Sequence, residues 1–200
     1  MTQNLEMQTR NALNFVQKLY FEISYLIKEV EGLLHLEDEE FVIGRPSGYG
    51  VTSGKSTGLE PANVESWLSK AFTVFYVPDK ETKLQSGTTT TRFHDQLRVL
   101  LLDIELEGKK NKIPRIMAGV LYDIRSKRDN FIKFEHLMFE FIYSRDKIFA
   151  SAPELNYEDS YLSMKGNLFN LPLFSVQTSE DITQKIVEPM LAQYRNQPYV

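Results

Sequence analysis

Gln96–Arg125, QLRVLLLDIELEGKKNKIPRIMAGVLYDIR, is the stretch whose reading decides the fold. Leu100, Leu102, Ile104 and Leu106 alternate onto one face of a first segment. Ile116, Ala118, Val120, Tyr122 and Ile124 do the same on a second, with the period of two that belongs to a strand. For both apolar sets to share one side of one sheet, paired residues must have equal parity. Setting Leu102 opposite Ala118, and continuing outward, satisfies this. It leaves Lys109, Lys110 and Asn111 as a three-residue loop, in which asparagine tolerates the left-handed conformation. It also sets Glu105 opposite Arg115 as a cross-strand ion pair. A slip of one residue would turn every apolar side chain to water, so the register should be firmly specified.

The other face of the same hairpin runs Leu97, Val99 and Leu101, then Asp103, Glu105 and Glu107. On the return strand it carries Arg115, Met117, Gly119, Leu121, Asp123 and Arg125. This predicts cover over the apolar end and an acid-bearing end that is open or lines a groove.

Working outward, residues 4–36 carry the strongest helical pattern. Ala12, Val16, Leu19, Ile23, Leu26, Val30 and Leu33 follow at alternating steps of four and three, widened by Leu13, Tyr20, Ile27 and Leu34. Such a helix would run ~45–50 Å, longer than most small domains are wide. Phe15, Phe21 and Tyr25 lie off the main stripe. Either the helix is buried on more than one side, or part of it overhangs and pairs with another subunit. The second alternative makes Phe15, Leu19, Ile23, Leu26 and Val30 the interface.

Ala71–Val77, AFTVFYV, is dense in β-branched and aromatic residues and reads as a strand ended by Pro78. The expected class is therefore α+β: a mainly antiparallel sheet (hairpin 97–107/113–125 plus strand 71–77) packed on the long N-terminal helix. Residues 1–200 read as a single domain. Its parts are a flexible glycine-rich loop over 44–60, a sheet core over 61–177 and a C-terminal helix over 179–195. Phe41–Ile43 reads as a brief strand, and Pro61–Lys70 as a short helix anchored by Trp67, the only tryptophan. Residues 131–143 fit helical spacing, 147–150 a short strand, and 151–177 an irregular segment. The last helix buries Ile182, Ile186, Met190 and Tyr194, with a kink at Pro189.

The totals exclude several functions. Among 200 residues, 42% are hydrophobic and 25% charged, values of an ordinary globular domain. A net charge of −4 argues against a strongly nucleic-acid-binding surface. The absence of cysteine removes disulfides, thiolate metal sites and cysteine nucleophiles together. No uncharged apolar run approaches the ~18 residues that span a bilayer, and no basic stretch precedes an apolar run at the N-terminus. A soluble cytoplasmic protein that makes no use of a membrane is the expectation.

The chemical signals are thin. Gly54-Lys55-Ser56 looks like part of a phosphate-binding loop, but the glycine that the motif needs five positions earlier is Tyr49. His35, His94 and His136 have no ligand spacing, and His94-Asp95 has no nucleophile beside it in sequence. Asp103 and Glu105 share a strand face roughly 7 Å apart and could hold magnesium with a third acid such as Glu22. The order helix, three strands, helix, strand resembles the core of the restriction-endonuclease-like nucleases. That resemblance implies an acid on the second strand, here Asp103, and a Glu-x-Lys on the third. The third strand reads Met117-Ala118-Gly119-Val120-Leu121-Tyr122-Asp123 and has no such motif, which implies an inactive copy or a displaced arrangement using Glu105. Lys109, Lys110, Lys112 and Arg115 crowd the hairpin tip, and Arg125, Lys127 and Arg128 the far end of the return strand.

Two functions compete on these grounds. The first is a non-enzymatic binding or assembly module without a cofactor, dimerising about a two-fold axis, or pairing with another protein, through the first helix. The rival is a magnesium-dependent nuclease or inactive nucleic-acid binder using Asp103 and Glu105.

Overall fold

The computed structural model describes residues 2–43, 68–78, 92–93, 98–107, 113–128 and 132–197. The glycine-rich 44–60 segment, residues 61–67 of the expected 61–70 helix, the His94-Asp95 pair and the tip residues Lys109, Lys110 and Lys112 lie outside the described residues. Residues 68–70, the end of that expected helix, are described and are not helical.

In chain order the elements are α1 (Thr2–His35), β1 (Phe41–Ile43), β2 (Ala71–Pro78), β3 (Arg92–Phe93), β4 (Val99–Glu105) and β5 (Arg115–Ser126). They continue with β6 (Ile132–Lys133), α2 (Phe134–Tyr143), α3 (Arg145–Ile148), β7 (Glu154–Glu158), β8 (Leu162–Pro172), α4 (Ser179–Ile182) and α5 (Glu188–Asn196). Six strands form one antiparallel sheet in the order β1-β2-β4-β5-β8-β7, and β3 pairs with β6 separately.

The hairpin pairs as its alternation requires. Val99 faces Leu121, Leu102 faces Ala118 and Glu105 faces Arg115. As far as Tyr122, parity then sorts the side chains into two cores. One side gathers Val74, Tyr76, Leu100, Leu102, Ile104, Ile116, Ala118 and Val120 under the second half of α1 and under α4–α5. The other gathers Phe75, Val77, Val99, Leu101 and Leu121 against Leu137, Met138 and Phe141 of α2 and Ile148 of α3. The aliphatic face of the hairpin and the N-terminal helix thus do pack together. Tyr76 Oη, buried in that contact, donates to the Ile27 carbonyl at 3.1 Å. Beyond Tyr122 the register with β8 shifts, Asp123 takes a φ of +51°, and Ile124 enters the second core instead of the face its alternation predicts.

Three further expected segments come out differently. The helix expected over 131–143 begins only at Phe134, because Ile132 and Lys133 pair with β3. Residues 147–150 do not form a strand: α3 runs into a 3-10 turn, Phe149–Ser151. The amides of Lys147 and Ile148 both donate to the Ser144 carbonyl, so local bonds satisfy the backbone before any strand partner can. Residues 151–177 are not irregular, because β7 and β8 form a hairpin that extends the sheet beyond β5. Leu155 and Tyr157, then Leu162, Met164 and Leu168, alternate into the second core. Pro153 precedes β7 and Pro172 ends β8, positions where a missing N–H interrupts no ladder. Gly119 makes the β5–β8 contact feasible. With φ at +153°, a Cβ there would lie 2.1 Å from the Asn167 carbonyl oxygen.

The C-terminal helix starts at Ser179, the position expected. Thr178 Oγ1 accepts from the Asp181 amide at 3.1 Å, and Ile182, Ile186, Met190 and Tyr194 are all buried. A π turn, Thr183–Val187, separates α4 from α5 and ends just before Pro189, the residue that cannot donate back into the helix.

Candidate functional site

Asp103 and Glu105 are buried, at 0% and 3% exposure, so these two acids are neither open to solvent nor a groove wall, whereas Glu107 beyond them is exposed as expected. Arg145, the first residue of α3, covers the buried pair. Its guanidinium bonds Asp103 through Nη2 and through Nε at 3.2 Å, and Glu105 through Nη1. Thr73 Oγ1, in the neighbouring row of β2, donates to Asp103 Oδ1 at 2.7 Å. Arg115 Nε donates to Glu105 Oε2 at 2.6 Å, the cross-strand pair anticipated from the register. All four carboxylate oxygens therefore accept a charge-assisted bond. Burial pulls the Arg145 pKa down, but attraction to Asp103 and then Glu105 outweighs it and holds the group above the ordinary arginine value. Two buried anions are matched by two arginines, and every carboxylate oxygen already has a partner within the chain.

Glu22 does not join them. It is exposed on α1, on the opposite side of the sheet, and lines a groove there. Among the described residues no group of three or more histidines and carboxylates is placed to hold a metal ion. The element order also departs from the nuclease resemblance: four strands of the main sheet precede α2 and two follow, all antiparallel.

Sequence reasoning missed Arg145. Its signal was indirect: two acids on a sheet face that also carries Val99 and Leu101 need cations if that face is covered. Which cation arrives depends on α2 turning the chain back over β4, a turn that periodicity alone does not place.

The five residues singled out for an interface divide along α1. Ile23 and Val30 are buried in the protein's own core, Leu19 and Leu26 pack partly against it, and Phe15 is 68% exposed. Residues 4–15 are exposed throughout, and Val16 is the first to be partly covered. Tyr20 makes the first firm anchor, donating to the Ser69 carbonyl at 3.1 Å and meeting Phe72 edge-on. α1 thus overhangs its own domain by nearly four turns, ~20 Å of helix. The apolar stripe does not stop at that boundary, because Leu5, Ala12, Leu19, Leu26 and Leu33 recur every seven residues across it.

Where the stripe meets the body, a groove of ≈ 580 Å³ opens between α1 and the segment leading into α4. Its apolar walls include Leu19, Leu26, Leu173, Phe174, Val176 and Ile182, with Glu22 and Glu29 beside them. Asp181 fastens the α4 side, accepting from the Gln177 amide at 3.0 Å and pairing with Lys185 at 2.5 Å. The Lys185 bond and the Gln177 amide hold its carboxyl down to about 2.

The basic cluster at the far end of β5 is partly neutralised. Arg125 pairs with Asp123 at 2.7 Å and Lys127 with Glu158 at 2.6 Å. The Arg128 guanidinium stacks 3.6 Å from the Tyr161 ring centre, beside a hollow of ≈ 400 Å³ that His136 also lines. Among the described residues no helix is long and apolar enough to cross a membrane. No protein-family model, no curated protein and no solved structure matches the chain.

Proposed function

We propose that the chain is a binding and assembly module that works by association rather than catalysis, and that it dimerises about a two-fold axis through the overhanging half of α1. One observation carries this reading. Leu5, Leu13 and Phe15 are 63%, 61% and 68% exposed on a helix whose continuation is core. A helix of some 12–15 residues without tertiary packing is marginal in water. These turns persist only by propagation from the anchored half, and a partner that covers the stripe would stabilise them. The carboxylates that suggested metal chemistry are engaged by Arg145 and Arg115, which removes the main support for a nuclease.

The proposal is tested by sedimentation equilibrium across the micromolar range. The wild type should populate a dimer. Leu13→Asp combined with Phe15→Asp, both at exposed positions, should be monomeric with an unchanged thermal unfolding profile at low concentration. A wild type that stays monomeric throughout that range would remove the reading.

A further inference from the structure

On the side of the sheet away from α1, we infer that the hollow beside α2 and the β7–β8 turn binds a flat heteroaromatic ring carrying one phosphate, as in a nucleoside monophosphate. Spacing along α2 builds one wall. Leu137, Met138 and Phe141 face the second core, so His136, Phe139 and Glu140, at i, i+3 and i+4, turn toward the hollow. Tyr161, in the turn between β7 and β8, supplies another wall, and Arg128, just past the end of β5, lies on its ring.

These walls are fixed before any ligand arrives. Asp159 Oδ1 accepts from the Tyr161 and Leu162 amides, both at 2.7 Å, and the Lys127 amide donates to the Tyr161 carbonyl at 2.8 Å. The buried Tyr157 hydroxyl stands 2.9 Å from Glu140 Oε2 and 3.2 Å from Asp159 Oδ2, which ties α2 to the same turn. A site ordered in advance loses less entropy on binding.

The lining selects the ligand. Among the described residues neither Arg128 nor His136 takes part in an ion pair, whereas the adjacent cations Arg125 and Lys127 each hold a carboxylate. Stacking on Tyr161 engages the face of the Arg128 guanidinium and leaves the N–H fork in its plane for an oxyanion. A phosphate, whose oxygens point in several directions, can accept from Arg128 and from His136 on a different element. Phe139 and Tyr161 are both exposed and offer a planar ring their π surfaces. Glu140 on the same lining disfavours a ligand charged throughout and suits a neutral ring that presents an N–H. A volume of ≈ 400 Å³ is near the small end for ligand pockets, enough for one base with its sugar and phosphate.

Calorimetric titration of the full chain with adenosine, guanosine, cytidine and uridine monophosphates tests this. At least one should saturate with a Kd below about 1 mM, while its nucleoside and inorganic phosphate each bind about tenfold or more weakly. Arg128→Met and Tyr161→Leu, both at exposed positions, should each weaken that binding by about tenfold with the unfolding midpoint unchanged. Arg125→Met removes a neighbouring cation that does not line the hollow and should leave binding as it was. Saturation by none of the four would overturn the inference. So would inorganic phosphate binding as tightly as the nucleotide, or equal losses from Arg125→Met and Arg128→Met, either of which reduces the site to diffuse positive charge. Dimerisation through α1, on the other side of the sheet, stands or falls separately.

Discussion

Two regions of this molecule reverse the ordinary placement of polar and apolar side chains. At the end of β4, carboxylates are fully buried; along the first turns of α1, leucine and phenylalanine stand in solvent. The buried charges are complete, since every oxygen of Asp103 and Glu105 is bonded within the chain. The exposed apolar residues are not, since the stripe they belong to is covered only from Val16 onward. Converging acids invite a chemical reading and an apolar stripe invites a structural one, but here completeness points the other way. The charge cluster holds α3 on the sheet, and the unfinished apolar surface is where the proposed partner would bind.

The contrast is broken most severely at Arg145. Replacing it with methionine leaves two buried carboxylates short of a cation, which should cost about 3–5 kcal/mol in denaturant unfolding. Adding Asp103→Asn and Glu105→Gln should recover part of that loss. Near-wild-type stability for Arg145→Met alone would mean the cluster is not the closed unit described here. A smaller effect sharpens the difference within α1 itself. Leu34→Ala, at a fully buried position, should lose about 2–5 kcal/mol. Leu13→Ala, on the same helix, should change stability by less than about 0.5 kcal/mol when measured dilute. Equal losses at the two positions would show that the overhanging turns are covered within one chain.

The hairpin register was legible because both strands alternate and a one-residue slip would expose every aliphatic side chain, leaving a single pairing consistent with burial. The helical stripe of α1 was legible for the same reason at a different period. Its boundary was not: Val16 and Ile23 look alike in sequence, and only the width of the sheet decides which of them has something to pack against. The β7–β8 hairpin was hidden by Pro153 and Pro172, which read as interruptions although they stand at strand ends. Asp103 and Glu105 were visible as a pair, yet their partner Arg145 lies about forty residues away and arrives just after α2, whose helical spacing is legible but whose direction back over β4 no local pattern specifies.

Hydrogen exchange read separately in the two halves of α1 tests the central claim most directly. Amides of residues 23–34, packed on the sheet, should be protected to the same degree at every protein concentration. Amides of residues 5–16 should exchange quickly when dilute and gain protection as concentration rises through the dimerisation range. Protection of residues 5–16 that does not change with concentration, whether strong or absent, would contradict the account.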